Sequence, residues 1–118
     1  EYITYHGIVG GEKKRELLKL CDIFALPTRY PNEGQPISIL EAMGNGMFII
    51  TTDHAGIPDI VTNQSNGIVL KDHQRITLDI INKNSLDLIE RENRRKIQML
   101  YTEQIYIRNM QKCYSEVL

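Results

Sequence analysis

The sequence predicts an α/β fold with a parallel sheet of about four strands, flanked by helices and followed by a helical tail. Two observations carry this prediction. Up to about residue 70, short apolar runs alternate with segments of helical periodicity, which is the pattern of βαβ units. From residue 73 onward, Ile and Leu recur at three- and four-residue spacings without a further strand pattern. We therefore expect the sheet in the first part of the chain and helices in the last.

The first predicted strand is the opening run EYITYHG. A helix follows over residues 12–21, because Leu17, Leu18 and Cys21 fall on one helical face. The run IFALP is the second strand, since it is short, apolar and stopped by Pro27. The polar loop TRYPNEG leaves the carboxyl end of this strand.

The next elements are a helix, a strand, a short helix and a last strand. The helix starts near Pro36, which suits a first helical position because it lacks an N–H, and Gly44 and Gly46 bracket its end. The run MFIITT is a strand, and AGIPDIV is a loop that leads into a short helix. Asn66 and Gly67 indicate a turn before the last strand, IVL.

The tail and the domain organisation complete the prediction. The segments QRITLDIINKNS, LDLIERENRRKIQMLYT and EQIYIRNMQKCYSEVL all have helical periodicity. Without internal repeats or linkers, residues 1–118 form one predicted domain. The chain enters a strand almost directly at Glu1, and four strands are few for such a sheet, so we expect a part of a longer polypeptide.

Composition limits the classes of protein to which the chain can belong. With 42% hydrophobic and 25% charged residues, it resembles one ordinary globular domain. A net charge of −1 gives no general electrostatic reason to expect a nucleic acid as partner. No apolar run approaches the ~20 residues of a membrane span and no secretory signal is visible, so we expect a cytoplasmic protein. Cys21 and Cys113 fit neither a zinc motif nor a disulfide scaffold, and nothing in the sequence requires a metal or a cofactor.

The stretch NEGQPISILEAMGNGMFII carries the candidate site. Glu33 stands just before the predicted helix N-terminus, whose free N–H groups favour an anion, and Glu41 lies inside the helix on one arc with Ser38 and Asn45. Carboxylates would repel the anion itself, so their natural partners are hydroxyl groups on either side of it. A nucleotide sugar has that layout. The alternative is that these residues form the solvent face of a buried helix.

At these residues the sequence resembles the nucleotide-sugar site of retaining GT-B glycosyltransferases, which include sucrose and glycogen synthases and many bacterial polysaccharide enzymes. The resemblance rests on Glu33 and Glu41 with seven residues between them, on EAM followed by Gly46, on the strand at 48–51 and on residues 56–61. It extends upstream through HGIVGGEKKRELLKLCDIFALPT and downstream through NGIVL into the helical tail.

The resemblance implies a Rossmann-like domain: the later part of the C-terminal donor-binding domain, which is half of a GT-B architecture. It implies that Glu41 binds the ribose and Glu33 the donor sugar, while the backbone around Gly34, Gln35 and Ile37 lines the sugar and diphosphate. The nucleotide sugar is then a substrate, and its hexosyl group passes with retention to a saccharide or lipid-linked acceptor held by an N-terminal domain outside this sequence. The chain alone is expected to be inactive, and no catalytic residue is assigned.

The sequence departs from the family pattern at two places. A Gly–aromatic–Gly loop often follows the first glutamate, whereas Gln35 and Pro36 follow Gly34 here, and Pro36 has no N–H for a phosphate. Asp59 stands where the family usually has Glu. The family's basic residues for the diphosphate lie in an earlier part of the domain.

Three further possibilities remain open at the level of sequence. A sugar-nucleotide epimerase shares the GT-B architecture, and a CheY-like regulatory domain is the non-enzymatic alternative, although EYITYHG ends without the acidic cluster that the latter needs. The basic run RENRRK at residues 91–96 suggests peripheral contact with a membrane carrying a lipid-linked acceptor, or simply a solvated helix face.

Overall fold

The computed structural model describes residues 2–72, 74–77, 79, 81 and 83–117. Its strands are β1 (Ile23–Leu26), β2 (Phe48–Thr52) and β3 (Gly67–Leu70). Its helices are α1 (Gly11–Leu20), α2 (Ile37–Gly44), α3 (Lys83–Leu100) and α4 (Glu103–Val117), and a 3₁₀ turn spans Ile57–Asp59. The strands pair in the order β1-β2-β3, all parallel, so the predicted α/β fold with a parallel sheet is confirmed.

The opening run does not form the predicted first strand. Residues 2–8 are exposed and have no regular structure, and the described strands pair only among themselves. A strand is stable when a neighbour accepts and donates its backbone hydrogen bonds, and no described backbone hydrogen bond joins residues 2–8 to β1. The described sheet therefore has three strands instead of about four, and β1 forms one edge.

The tail is helical as predicted except at its start. Residues 74–77 are not helical, and residues 78, 80 and 82 of the predicted segment lie outside the described residues. No described helix is both long enough and apolar enough to cross a membrane.

Strand β2 is the centre of the core because all five of its residues are buried. Side chains alternate between the two faces of a strand, so Ile49 packs on one face with Ile39 and Met43 of α2. Phe48 and Ile50 pack on the other face in a second cluster, together with Leu70 and Ile89. Both faces of the sheet are thus apolar, as in a parallel sheet covered on two sides.

Helix α2 begins after Pro36 and ends in a left-handed glycine turn. The amide of Gly46 bonds the carbonyl of Met43 at 2.9 Å, and the amide of Met47 bonds the carbonyl of Ala42 at 3.1 Å, the hydrogen bonds of a Schellman motif. Gly46 has φ +81°, a conformation that glycine adopts without steric cost. This turn sends the chain directly from α2 into β2.

Helix α3 is attached to the rest of the fold by hydrogen bonds from its polar side chains. The fully buried Asn93 amide nitrogen, Nδ2, donates to the carbonyls of Met47 at 2.9 Å and Asn66 at 3.0 Å. Met47 precedes β2 and Asn66 precedes β3. Asn93 therefore joins the starts of two neighbouring strands to one helix.

Candidate functional site

The loops that leave the carboxyl ends of β1 and β2 are in direct contact. The amide of Gly56 donates to the carbonyl of Gly34 at 3.0 Å. Behind this contact, the Thr52 hydroxyl donates to the carbonyl of Thr28, and Nε2 of His54 lies 2.7 Å from the carbonyl oxygen of Tyr30. The loop after β1 is therefore held against the end of β2 at several points, at the edge of the sheet where ligands of open parallel sheets bind.

The four residues predicted to contact the donor sugar lie together on this loop and the start of α2. Glu33 is half-buried, and its amide closes a turn on the carbonyl of Tyr30 at 3.0 Å. Gly34 and Gln35 are exposed, and Ile37, the first residue of α2, leaves 72% of its surface open to solvent. The structure therefore presents this group of residues to solvent at the helix N-terminus.

Glu41 lies elsewhere, on the side of α2 that faces α1. Its Oε1 is 2.7 Å from Nζ of Lys14, and both side chains are about half-buried, with 38% and 40% of their surfaces exposed. The pair stands in a cleft of about 320 Å³ between α1, β1 and α2. The lining is mostly apolar: Val9, Leu17, Leu18, Cys21, Ile23, Phe24, Ala25 and Met47, with Lys14, Ser38 and Glu41 as its charged and hydroxyl side chains.

The predicted site thus has two parts on either side of the first turn of α2. Ser38 and Glu41 share the cleft, whereas Glu33, Gly34, Gln35 and Ile37 do not line it. The predicted third member of the polar arc, Asn45, instead donates through Nδ2 to the carbonyl of Glu41 at 2.9 Å. A helix start leaves its first N–H groups without intrahelical partners, so the region between the two parts offers donors to an anion.

Lys14 is the residue of this cleft that the sequence analysis did not single out. The signal was present, because Lys14 stands three and four residues before Leu17 and Leu18 and therefore shares their helical face. A cation on an otherwise apolar face needs a partner. Only the tertiary structure shows that the partner is Glu41.

The position of Asp59 differs from that of the two glutamates. It ends the 3₁₀ turn, and its carboxylate acts on Tyr101, which follows α3. Burial raises the pKa of the Tyr101 phenol above its ordinary value, and the negative charge of Asp59 raises it further. Asp59 is therefore close enough to the α3–α4 junction to influence it electrostatically.

The basic run at 91–96 is directed in part toward the domain. Arg94 donates to the carbonyls of Gly44 at 3.2 Å and Asn45 at 2.6 Å, at the C-terminal end of α2, where cations are favourable. Lys96 donates to the carbonyl of Ile60 at 2.8 Å. These two charges therefore stabilise the packing of α3. Arg94 and Lys96 thus belong neither to a membrane-facing surface nor to a wholly solvated helix face.

A family model for glycosyl transferases group 1 matches residues 1–99 of the chain. The chain belongs to this family. The matched residues include all five predicted site residues and Lys14, so the family resemblance inferred from the sequence is confirmed.

Several glycosyltransferases are similar to this chain. The N,N'-diacetylbacillosaminyl-diphospho-undecaprenol alpha-1,3-N-acetylgalactosaminyltransferase of Campylobacter jejuni is 31% identical over 109 residues, which cover 87% of this chain and 28% of that protein. An uncharacterised glycosyltransferase of Methanocaldococcus jannaschii is 34% identical over 95 residues, which cover 80% of this chain and 23% of that protein. The amylovoran biosynthesis glycosyltransferase of Erwinia amylovora is 30% identical over 60 residues, which cover 48% of this chain and 15% of that protein. The chain thus spans less than a third of the length of each of these relatives.

Proposed function

We propose that this chain is the later part of the donor-binding domain of a glycosyltransferase that uses a nucleotide-diphosphate sugar. The observation that carries the proposal is the placement of two carboxylates about the start of α2, with Glu33 just before it and Glu41 beside the apolar cleft. In this proposal the diphosphate binds near the helix start and the ribose hydroxyls bind Glu41. The sugar hydroxyls bind Glu33, the loop residues Gly34 and Gln35, and the start of α2 at Ile37.

Charge and polarity support this arrangement. An ionised carboxylate only accepts hydrogen bonds, so it suits hydroxyl groups and repels phosphate oxygens. The cleft beside Glu41 is mostly apolar, as small-molecule sites usually are, and its volume of about 320 Å³ lies at the lower end of the usual range. The proposal includes no metal and no organic cofactor, and the nucleotide sugar enters as a substrate.

The acceptor is proposed to be a saccharide or a lipid-linked saccharide, in polysaccharide or glycoconjugate biosynthesis. Two names support this class: the Campylobacter relative is named for a diphospho-undecaprenol acceptor and the Erwinia relative for amylovoran biosynthesis. We propose that an N-terminal domain of the full-length enzyme binds the acceptor. We propose a cytoplasmic enzyme, and a lipid-linked acceptor would place it at the inner face of the membrane.

The test separates the roles of the two glutamates in the full-length enzyme. A hydrogen bond to a charged group contributes about 1.5–3 kcal/mol, so Glu41→Ala should weaken binding of the cognate nucleoside diphosphate about ten- to a hundredfold. Glu33→Ala should leave that affinity nearly unchanged but strongly reduce transfer, because the sugar loses a contact in the transition state. Calorimetric titration and transfer assays measure both effects.

A matched control is Glu16→Ala, which removes an exposed carboxylate of α1 that forms no ion pair within the described part of the chain. Glu16→Ala should change neither the affinity for the nucleoside diphosphate nor the rate of transfer. Equal loss of nucleoside diphosphate affinity in Glu33→Ala and Glu41→Ala would show that their roles are misassigned. Release of an epimerised sugar without any acceptor would instead favour the epimerase alternative.

A further inference from the structure

The ion pair between Lys14 and Glu41 joins two elements that are 27 residues apart in the chain. Nζ of Lys14 approaches one carboxylate oxygen, Oε1, at 2.7 Å, and no described hydrogen bond engages the other oxygen, Oε2. The pair lines the apolar cleft, and both side chains keep over a third of their surface accessible to a ligand. One oxygen of Glu41 is thus held by Lys14, and the described hydrogen bonds leave the other free for a ligand.

We propose that Lys14 is a positioning residue for the nucleotide ribose: it holds Oε1 of Glu41 and so orients Oε2 toward a ribose hydroxyl. This inference rests on the proposed function, since it assumes that Glu41 binds the ribose. It adds a residue of α1 to the nucleotide site and gives that residue a role in the selection of ribonucleotides.

A purely structural role explains the pair less well. Half-exposed ion pairs contribute little to folding stability, and the helical face that Lys14 shares with Leu17 and Leu18 would be completed by an apolar residue. The contact does restrict the rotamers of a glutamate that would otherwise be free to move in the cleft.

A pre-oriented carboxylate binds its ligand at a lower entropic cost. Ordering one flexible side chain on binding weakens affinity by about two- to tenfold, and a partner that orders it beforehand removes that cost. The effect applies only to ligand groups that use the carboxylate. It therefore acts on the ribose hydroxyls and leaves contacts to the base and the diphosphate unchanged.

The experiment compares ribose recognition in variants of the full-length enzyme. The probes are the tightest binder among UDP, GDP, ADP and CDP, and its 2′,3′-dideoxy analogue, titrated calorimetrically. In Lys14→Met the preference for the ribonucleotide should fall about two- to tenfold, while affinity for the dideoxy analogue stays within about twofold. Lys14→Arg, which can make the same contact, should keep most of the preference.

The control is Lys13→Met, which removes an adjacent exposed lysine of the same helix that has no described ion pair. It should leave both affinities unchanged. Equal weakening of both ligands in Lys14→Met would indicate a simple charge effect and overturn the proposal, as would an unchanged preference or a variant that fails to fold. Loss of preference in Glu41→Gln but not in Lys14→Met would reject the role of Lys14 and leave the proposed function standing. A wild-type enzyme without any preference for ribose would reject both.

Discussion

The amide of Gly56 and the carbonyl of Gly34 form a hydrogen bond of 3.0 Å that joins the loop after β2 to the loop after β1. The approach is close enough that a Cβ atom at position 56 would lie 3.1 Å from the Gly34 oxygen. Gly56 has φ −82°, which other residues adopt readily. What restricts this position to glycine is therefore the lack of space for a side chain and not the backbone conformation. The position of the loop that carries Glu33 thus depends on a small residue in the neighbouring loop.

Gly56→Ala should displace the Gly34 loop without unfolding the domain. The methyl group must move an exposed backbone segment by a few tenths of an ångström, and small misplacements of substrate contacts lower reaction rates steeply. We expect kcat/KM for transfer by the full-length enzyme to fall about tenfold, with nucleoside diphosphate affinity within about twofold of wild type.

Gly10→Ala is the control for Gly56→Ala, because a Cβ at Gly10 would meet no atom within 4 Å. Steady-state kinetics and calorimetry of both variants measure the effect. Unchanged transfer in Gly56→Ala, or an equal loss of transfer in Gly10→Ala, would contradict the proposed contact between this loop and the sugar.

Asn93→Asp should destabilise the chain by about 3 kcal/mol or more. The change replaces a donor to the carbonyls of Met47 and Asn66 with a buried acceptor that can donate to neither while ionised. Gln98→Glu makes the same amide-to-acid change at an exposed position of α3 and should cost less than about 0.5 kcal/mol. Urea denaturation measures the stability of both variants. Similar midpoints would show that the hydrogen bonds of Asn93 do not stabilise the fold.

The raised pKa of Tyr101 predicts a loss of stability in alkali. Because the pKa of the folded state exceeds the unfolded value of about 10, the contribution of the neutral phenol is complete below about pH 10 and is lost as the pH rises through the folded-state pKa. Between about pH 8 and pH 11, the unfolding free energy of the wild type should therefore fall relative to that of Tyr101→Phe.

The exposed Tyr106 provides the comparison for this pH dependence. Tyr106→Phe should follow the wild type over the same range of pH, measured by urea denaturation at each value. Parallel pH profiles for wild type and Tyr101→Phe would contradict the effect of burial and Asp59 on the phenol.

Much of the fold could be predicted from local patterns. The predictions of β1, of β2 and of the end of α2 were correct. They rest on short apolar runs and on glycine positions, which are features of the local sequence. The opening run EYITYHG was predicted wrongly as a strand, since its described residues 2–7 form none and strand pairing depends on a neighbour that local sequence does not specify. Asn93 was missed for the same reason, because its two carbonyl partners lie 27 and 46 residues away.

The candidate site was only partly accessible to sequence reasoning. The spacing of Glu33 and Glu41 indicated two carboxylates about one helix start, which the structure contains. It did not indicate that Glu41 faces α1, or that Lys14 contacts it, because both facts depend on how α1 packs beside α2. The direction of a side chain on a single helix can be predicted from its spacing, but the element against which that side chain packs cannot.

The isolated 118-residue chain should not transfer sugar to any acceptor. It spans 28% of the length of the Campylobacter relative, and in the proposed enzyme the acceptor site and the basic residues for the diphosphate belong to other parts of the polypeptide. Incubation of the purified chain with a panel of nucleotide sugars and saccharide acceptors tests this expectation, with the full-length enzyme as positive control. Turnover by the chain alone would contradict the division of roles.

The most direct test of the proposed donor site is a crystal structure of the full-length enzyme with its cognate nucleoside diphosphate. The proposal predicts a ribose hydroxyl within hydrogen-bond distance, about 2.6–3.2 Å, of the Glu41 carboxylate, with the diphosphate beside the first turn of α2. It also predicts that Lys14 keeps its contact with the other carboxylate oxygen. A nucleotide bound away from α2, with Glu41 still paired only to Lys14, would contradict the account.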